Sequence, residues 1–284
     1  MTGNEALRLA IPKLQAAGIT DAPRDARALL AHAAGIAPDR LTLHLADPLP
    51  PQAEEAFAQA ITRRANREPV SHITGTRLFW GRPFRVTPET LDPRPETEIL
   101  VEEALQEPFL KLLDLGTGTG CILLSCLASM PMAQGTGTDI HPATLTVAEE
   151  NARALGLSTR ARFLLSDWFT AIPGRFDLIL SNPPYIADGE MADLSPEVLR
   201  EPRRALTPGG DGLAAYRAIA AGAPARLMPQ GRLIVEIGPT QGAQVAALFA
   251  AQGLTDIRIL PDLDGRDRVV VARKPQDDTG CVTA

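Results

Sequence analysis

The sequence predicts an α/β domain with a doubly wound sheet, preceded by a small bundle of helices, and three observations lead to this prediction. Residues 1–69 carry Leu, Ala and Ile at helical spacing, with glycine or proline between the segments. Residues 70–94 are richer in Thr, Phe, Trp and Val around a central Gly-Arg-Pro, which is typical of a β-hairpin linker. From residue 95 to residue 274 strand-like apolar runs alternate with helical segments. Such alternation indicates a largely parallel sheet covered by helices on both faces.

Length and composition exclude several classes of protein. The chain has 284 residues, of which 45% are hydrophobic and 22% are charged, so we expect one large domain or two of unequal size. No apolar run approaches the ~18 residues that span a bilayer. The first residues, "MTGNEALRLAIPKLQ", have polar breaks where a signal peptide needs an apolar core. We therefore expect a cytoplasmic protein without a membrane partner.

Cysteine content and charge narrow the choice further. The three cysteines, Cys121, Cys126 and Cys281, are too few for a disulfide framework, and four histidines without a Cys/His cluster predict no metal site. Nucleic-acid binders usually carry a basic stripe, whereas this chain has a net charge of −6. The charge weighs against a duplex DNA substrate, and we expect no direct nucleic-acid partner.

The helical segment, residues 1–69, is poor in aromatic and β-branched residues, which favours a small helical bundle. It carries no motif with chemistry of its own. We interpret it as a docking or substrate-recognition domain, joined to the α/β part by the hairpin linker of residues 70–94.

Seven strand candidates lie in the α/β part, and helical segments separate most of them. They are residues 111–115, 135–140, 162–166, 176–180, 232–237, 257–260 and 268–272. Only "PDLDGRD" separates the last two, which is too short for a crossover helix, so we expect an antiparallel pair. The α/β domain is thus predicted over residues 95–274, and residues 275–284 are predicted to be a frayed tail.

A glycine-rich turn follows the first of these strands and precedes a helix. Its five residues are Gly116, Thr117, Gly118, Thr119 and Gly120. Glycine lets a backbone turn sharply and approach a ligand closely, although a tight structural connection would use the same residues. Asp139 near the end of the next strand favours the first interpretation, because a carboxylate there can accept hydrogen bonds from a ribose. The spacing differs from that of pyrophosphate binders, and "DLGTGTG" resembles the motif of Rossmann-like methyltransferases that bind S-adenosylmethionine.

Three further residues are predicted to bind this cofactor. Asp167 and Trp168 follow the third strand at the same edge, where a carboxylate can accept from an adenine amino group and an indole can cover its face. Asp114 ends the first strand. It is predicted to lie near the methionine end of the cofactor, and capping of the loop amides explains its position equally well.

The sequence "SNPPYI" ends the fourth strand with Asn182, Pro183, Pro184 and Tyr185. Two prolines remove two backbone donors and stop a strand, but they do not explain the flanking amide and phenol. A carboxamide or an exocyclic base amine has a planar nitrogen, which is a poor nucleophile because its lone pair is delocalised. The Asn182 oxygen and the Pro183 carbonyl could accept its two N–H bonds, while Tyr185 offers a flat surface for stacking. The motif therefore predicts methylation of a planar nitrogen.

The motif leaves several substrates open. Adenine N6, guanine N2 and a glutamine amide present the same chemical problem, so a nucleic-acid methyltransferase is the alternative to a protein methyltransferase. A module that senses the cofactor without turnover is a third possibility.

Further strings resemble one family, the HemK-type release-factor glutamine methyltransferases. They include "DARALLAH", "EPVSHITGTRLFWGRPF", "LDPRPETEILVEEAL", "SDWF", "EPRRAL", "GGDGL", "VEIGPTQG" and "LDGRDRVVVAR". The resemblance implies a seven-stranded Rossmann-like domain that binds S-adenosylmethionine and releases S-adenosylhomocysteine. It implies methylation of the glutamine N5 in the Gly-Gly-Gln loop of class 1 peptide chain release factors. It places cofactor binding on residues 116–120, Asp139, Trp168 and Asn182, and glutamine binding on residues 182–185. Catalysis is expected of Asn182, Pro183 and Tyr185. We also expect a monomer.

The string "DPRPETE" contains one residue that a rigid hinge does not explain. Pro93 and Pro95 keep Arg94 extended, and the acids that follow suit the first turn of a helix. We expect Arg94 to line the substrate entrance or to order the acceptor loop. Two residues depart from the family pattern: Asp92 replaces an apolar residue, and Cys121, which replaces a small one, is expected to be a buried helix residue and no nucleophile.

Overall fold

A computed structural model describes residues 1–276, which fall into two compact units. The first comprises Met1–Thr76 together with Leu194–Arg200, and the second comprises Arg77–Asp193 with the chain from Glu201 onward. Most of the predicted tail, residues 277–284 with Cys281, lies outside the described residues. The predicted division at residues 69/70 and 94/95 stays a prediction.

The first unit is helical, as the sequence predicts. Its helices are α1 (Gly3–Ala16), α2 (Ala22–Ala34), α3 (Leu41–His44), α4 (Pro51–Ala65) and α5 (Val70–Thr74). Helix α1 begins with a capping box, in which the Thr2 hydroxyl accepts from the Glu5 amide and the Glu5 carboxylate accepts from the Thr2 amide. The buried residues of these helices form their own core of leucine, alanine and isoleucine with a single phenylalanine, Phe57.

A short hairpin follows, made of β1 (Thr76–Phe79) and β2 (Arg82–Arg85). Trp80 and Gly81 form its turn with φ values of 48° and 70°, the left-handed conformation that two-residue hairpin loops adopt. Phe79 and Phe84 pack edge to face with ring centroids 6.1 Å apart, and both are buried in a core cluster of the second unit.

The second unit contains a seven-stranded sheet. Its strands are β3 (Lys111–Leu115), β4 (Gln134–Asp139), β5 (Ala161–Leu165), β6 (Phe176–Ser181), β7 (Leu227–Glu236), β8 (Thr255–Pro261) and β9 (Asp267–Arg273). The strand order is β5-β4-β3-β6-β7-β9-β8. The first five strands in this order, from β5 through β4, β3 and β6 to β7, pair in parallel. Strand β9 is antiparallel to both of its neighbours, β7 and β8. The predicted antiparallel pairing of the last two strands is therefore confirmed.

Helices cover both faces of this sheet. They are α6 (Glu98–Ala104), α7 (Cys121–Ser129), α8 (Pro142–Ala154), α9 (Arg203–Leu206), α10 (Ala214–Arg226) and α11 (Gly242–Ala251). Two buried clusters result, because alternate residues of β3 point to opposite faces: Leu112 belongs to one cluster, and Leu113 and Leu115 belong to the other. The doubly wound α/β sheet predicted from the sequence is confirmed.

The start of β7 differs most from the prediction, since the strand begins at Leu227 and not near residue 232. Pro229 in this segment argues against a strand. The structure accommodates it with an irregularity: the pairing register between β6 and β7 shifts, and Gln230 adopts a φ of 63°. Among residues 1–276 no helix combines the length and the apolar character needed to cross a membrane.

Candidate active site

A cavity of about 420 Å³ lies at the carboxyl edge of the seven-stranded sheet. Strand β3 is the switch point of this sheet, because β4 lies on one side of it and β6 on the other. Open α/β sheets bind ligands outside the carboxyl ends of their strands at such a point. The residues predicted from the sequence that line the cavity are Arg94, Gly116, Thr117, Gly118, Thr119, Asp139, Asp167, Trp168, Asn182 and Pro184.

Some predicted residues do not line this cavity, and some lining residues were not predicted. Within the described chain, the cavity wall leaves out Asp114, Gly120, Pro183 and Tyr185. Lining residues that sequence reasoning missed include Glu89, Thr97, Ile140, Thr144, Ser166 and Arg204. Ile140 could have been predicted to line the cavity, because it directly follows the acid that ends β4 and so belongs to the loop at the cavity. The Ile140 residue is 63% exposed.

The glycine turn forms one wall of the cavity. Gly116, Gly118 and Gly120 have φ values of 66°, 56° and 79°, a conformation that side chains with a Cβ rarely adopt. The turn is tied to the neighbouring strand, because the Thr117 amide donates to the Thr138 carbonyl at 2.8 Å. Residues 116–119 of the turn line the cavity, and the two glycines among them bring the backbone to the cavity without a side chain.

Asp139 links this turn to the loop after β4. One carboxylate oxygen accepts from the Gly118 amide at 3.2 Å, and the other accepts from the His141 amide at 3.0 Å. Burial raises the pKa of Asp139, and these two hydrogen bonds oppose the rise. The carboxylate is therefore fixed at the cavity wall, and its remaining lone pairs can accept further hydrogen bonds.

Asp114 lies beneath the turn and is fully buried. Its Oδ2 accepts from the Thr117 hydroxyl at 2.6 Å, and its Oδ1 has no hydrogen-bond partner among the described residues. Burial raises the pKa of Asp114 to about 7. The contact with Thr117 stabilises the turn, and the predicted contact of Asp114 with a cofactor stays a prediction.

The donor set of the cavity suits an adenosyl cofactor. Thr119 lines the cavity, and its hydroxyl is buried with no hydrogen-bond partner within residues 1–276 apart from the neighbouring Cys121 thiol. Such a group costs free energy unless a ligand satisfies it. The Asp139 carboxylate lies at the same cavity with lone pairs left to accept, so the residues present fit a nucleoside whose ribose hydroxyls donate to it.

The cysteine beside this cavity has no reactive character. Cys121 begins α7 and is buried, and burial raises the pKa of its thiol to about 12. The expectation of a buried helix residue is confirmed. Within residues 1–276, no group of histidine, cysteine and acidic side chains could hold a metal ion.

The turn after β5 forms another part of the cavity wall. Trp168 adopts a φ of 46°, and the Ser166 hydroxyl holds this conformation by donating to the Trp168 carbonyl at 2.9 Å. Ser166 also accepts from the Ala171 amide at 3.1 Å. The quoted string "SDWF" therefore contains a turn-forming serine as well as the two predicted cavity residues.

Asn182 follows the end of β6 and lines the cavity. Its side-chain Nδ2 donates to the Thr97 hydroxyl oxygen at 3.2 Å. This contact uses the amide nitrogen and leaves the amide oxygen to accept from another group. The preceding residue is fixed as well, because the Ser181 hydroxyl donates to the Leu115 carbonyl at 2.8 Å.

Two residues distant in sequence, Gln241 and Gly212, fix the backbone of Tyr185. Gln241 Nε2 donates to the Tyr185 carbonyl at 2.9 Å. Gly212, with a φ of 75°, packs so closely that an added Cβ would lie 2.4 Å from the same oxygen. Burial raises the pKa of the Tyr185 phenol, and the charge of Glu236 raises it further, so the phenol stays neutral.

Gln241 is in turn fixed by the residues that follow β7. Its Oε1 accepts from the Gly238 amide at 3.0 Å and from the Tyr216 hydroxyl at 3.4 Å, and this hydroxyl also contacts the Glu236 carbonyl at 2.9 Å. The string "VEIGPTQG" thus supports the turn of residues 182–185, which we call the acceptor turn. The sequence pattern alone does not indicate this role.

Arg94 both lines the cavity and orders its surroundings. Its guanidinium pairs with Glu201, and it lies 3.7 Å from Asp92. The second oxygen of Glu201 accepts from the Asp92 amide at 3.0 Å. Asp92, the residue that departs from the family pattern, therefore belongs to a buried charged cluster.

Replacement of Arg94 by alanine is expected to destabilise the fold. The Glu201 side chain is only 1% exposed, so the variant leaves a buried carboxylate without its cation. The free energy of unfolding should fall by roughly 1–3 kcal/mol. Denaturant titrations of Arg94→Ala, Glu201→Ala and the double variant measure the coupling, and strictly additive effects would contradict this pairing.

Fold and site together define a methyltransferase of the S-adenosylmethionine-dependent fold. Residues 90–215 match the family model described as Methyltransferase small domain, and residues 5–75 match the PrmC N-terminal domain. The chain belongs to the release factor glutamine methyltransferase family. It is 63% identical over 276 residues to the release factor glutamine methyltransferase of Cereibacter sphaeroides, covering 97% of this chain and 99% of the relative.

Two further similarities place this membership in context. The release factor glutamine methyltransferase of Rhodospirillum rubrum is 47% identical, over 92% of this chain and 82% of that one. A T. thermophilus 16S rRNA N2 methyltransferase, whose structure contains AdoMet and guanosine, superposes with a TM-score of 0.51 at 21% identity. That alignment covers 70% of this chain and 49% of the other, and it shows the fold alone.

Proposed function

We propose that this protein transfers a methyl group from S-adenosylmethionine to the N5 side-chain nitrogen of the glutamine in the Gly-Gly-Gln loop of class 1 peptide chain release factors. One structural observation supports the chemistry above all: Asn182 lies at the cavity with its amide nitrogen bound to Thr97. The family relationship supports the substrate, because relatives with 63% and 47% identity are named for it.

The cofactor proposal rests on the residues of the cavity. Asp139 would accept from ribose hydroxyls, and the turn of residues 116–120 would approach the cofactor with its backbone. Asp167 and Trp168 would contact the adenine. When bound, S-adenosylmethionine supplies an electrophilic methyl group on a sulfonium. S-adenosylhomocysteine would be the released product.

The acceptor proposal rests on the turn after β6. The Asn182 oxygen and the Pro183 carbonyl would each accept one N–H of the glutamine amide. This would orient the nitrogen lone pair toward the cofactor side of the cavity. Orientation of two reactants can supply up to roughly 7–11 kcal/mol of the barrier reduction.

Tyr185 would contribute a surface and not a base. Its phenol stays neutral because burial raises its pKa. Pro184 lines the cavity and would pack against the acceptor beside it. The amide nitrogen can lose its proton after it has gained the methyl group, so none of these four residues has to remove it.

The helical residues 1–69 and the linker of residues 70–94 would select the release factor. We propose that the protein acts as a cytoplasmic monomer and binds the factor without nucleic acid. The net charge of −6 supports a protein partner over a polyphosphate one.

The experiment that tests this function compares substrates. The protein is incubated with isotopically labelled S-adenosylmethionine and either a purified class 1 release factor, ribosomal RNA or duplex DNA. We expect label in the release factor, with little dependence on salt. Label in nucleic acid alone would contradict the proposal and favour amino-methylation of a base.

A further inference from the structure

A second buried acid lies close to the proposed acceptor site and has no role in the mechanism above. Glu236 ends β7 and is almost fully buried. Its Oε2 has no hydrogen-bond partner in the described part of the chain. An acid without full pairing in a protein interior destabilises the fold, so its presence calls for an explanation.

Charged and polar groups from several elements lie close enough to Glu236 to interact with it electrostatically. Arg268 belongs to β9, Arg94 and Glu96 come from the segment before α6, and Tyr185 belongs to the acceptor turn. The charge of Glu236 also contributes to the raised pKa values of Tyr216 in α10 and Cys121 in α7. The charge of Arg268 is shared between two acids, because its guanidinium also pairs with Asp262 at 3.0 Å. Arg268 therefore does not fully neutralise Glu236.

Burial raises the pKa of Glu236 to about 7, and a hydrogen bond from Thr97 and the charge of Arg268 oppose this rise. The carboxyl group therefore changes its charge near neutral pH. Below about pH 7 it is protonated and can donate, whereas above it the group only accepts.

Thr97 connects Glu236 with Asn182. A threonine hydroxyl has one proton to donate and an oxygen that accepts. In the structure the Thr97 oxygen accepts from Asn182 Nδ2 at 3.2 Å, which leaves the Thr97 proton available for the nearby Glu236 carboxylate. The Asn182 oxygen then faces the acceptor.

Protonation of Glu236 removes this constraint. The carboxylic acid can donate to Thr97, whose own proton can then be directed to the Asn182 oxygen. In that arrangement Asn182 would present its NH2 group to the glutamine NH2, so that two donors would face each other.

We propose that Glu236 is a positioning residue which, acting through Thr97, holds the Asn182 amide with its oxygen toward the acceptor nitrogen. This inference rests on the proposed function. It explains why a buried acid stands at the end of β7, and it assigns a role to the glutamate of "VEIGPTQG".

Three variants test the relay, namely Glu236→Gln, Thr97→Val and Thr97→Ser, with Glu103→Gln as an isosteric control on α6. Methyl transfer to a release factor is measured from about pH 6 to pH 9, together with cofactor affinity. For the wild type, kcat should fall as the pH decreases through about 7. Glu236→Gln and Thr97→Val should lose roughly tenfold to a hundredfold in kcat with cofactor affinity unchanged, while Thr97→Ser and Glu103→Gln stay active.

The pH profile separates a positioning role from a structural one. Glu236→Gln should lose the acidic decline in kcat, even though Asp114, whose pKa is also about 7, remains in place. The folded state of the wild type binds the Glu236 proton more tightly than the unfolded state does. The free energy of unfolding of the wild type therefore falls as the pH rises from about 4.5 to about 7. The variant Glu236→Gln should show a smaller fall over the same range.

Two results would overturn the inference: wild-type kcat in Glu236→Gln and Thr97→Val, or an unchanged acidic decline in Glu236→Gln. Failure of the proposed function is distinguishable, because the wild type itself would then leave the release factor unmethylated.

Discussion

Replacement of Asn182 by alanine is expected to lower kcat by on the order of a hundredfold, with cofactor affinity changed by only a few-fold. The side-chain oxygen is proposed to accept one N–H of the glutamine amide, and alanine offers no acceptor. The pre-organised hydrogen bond is lost in the transition state, where it orients the lone pair. Single-turnover methyl transfer and isothermal calorimetry measure the two quantities separately.

Asn182→Asp is a matched comparison. It retains an acceptor oxygen but cannot donate to Thr97, and it adds a charge near Glu236. Activity between that of alanine and that of the wild type is expected. Full turnover in Asn182→Ala would refute the assigned role, and a collapse of cofactor affinity would show that Asn182 acts mainly on the cofactor.

Replacement of Asp139 by alanine should weaken cofactor binding by on the order of a hundredfold, because a hydrogen bond to a charged group contributes roughly 1.5–3 kcal/mol. Two effects combine in this variant. The proposed acceptor of the ribose hydroxyls disappears, and the Gly118 and His141 amides lose the carboxylate that fixes them. At saturating cofactor, kcat should recover to within a few-fold of the wild type.

Asp139→Asn serves as the control for Asp139→Ala. It keeps one carbonyl oxygen in place, so its loss of affinity should be smaller. Equal affinities for the wild type and Asp139→Ala, measured by calorimetry, would exclude a role for this carboxylate in cofactor binding.

The sequence predicts the cavity well where chemistry is local in the chain. The glycine turn, Asp139, Asp167 with Trp168 and the Asn-Pro-Pro-Tyr turn each follow a strand, and parallel strands bring their carboxyl ends to one edge. Alternating helices and strands are therefore enough to predict that these short segments converge.

The supporting contacts could not be predicted in this way. Thr97 and Asn182 are 85 residues apart, and Gln241 is 56 residues from Tyr185. Arg94 and Glu201 are separated by 107 residues. Such pairs depend on the strand order and on turn geometry, which hydrophobic periodicity does not specify.

Strand order itself illustrates the same limit. The short connection between β8 and β9 predicts antiparallel pairing, but it does not say which of the two adjoins β7. In the structure β9 lies between β7 and β8, and this places Arg268 of β9 beside Glu236 of β7. The strand order thus supplies one of the charges around the buried acid.

The most direct test of the account uses a class 1 release factor whose glutamine side-chain amides carry ¹⁵N. After incubation with the protein and ¹³C-methyl S-adenosylmethionine, NMR spectroscopy detects any one-bond coupling between the two isotopes. Fragmentation of the Gly-Gly-Gln peptide by mass spectrometry locates the methyl group. We expect one methyl group, bonded to the amide nitrogen of that glutamine. A methyl group on any other atom of the release factor, or none while the cofactor binds normally, would contradict it.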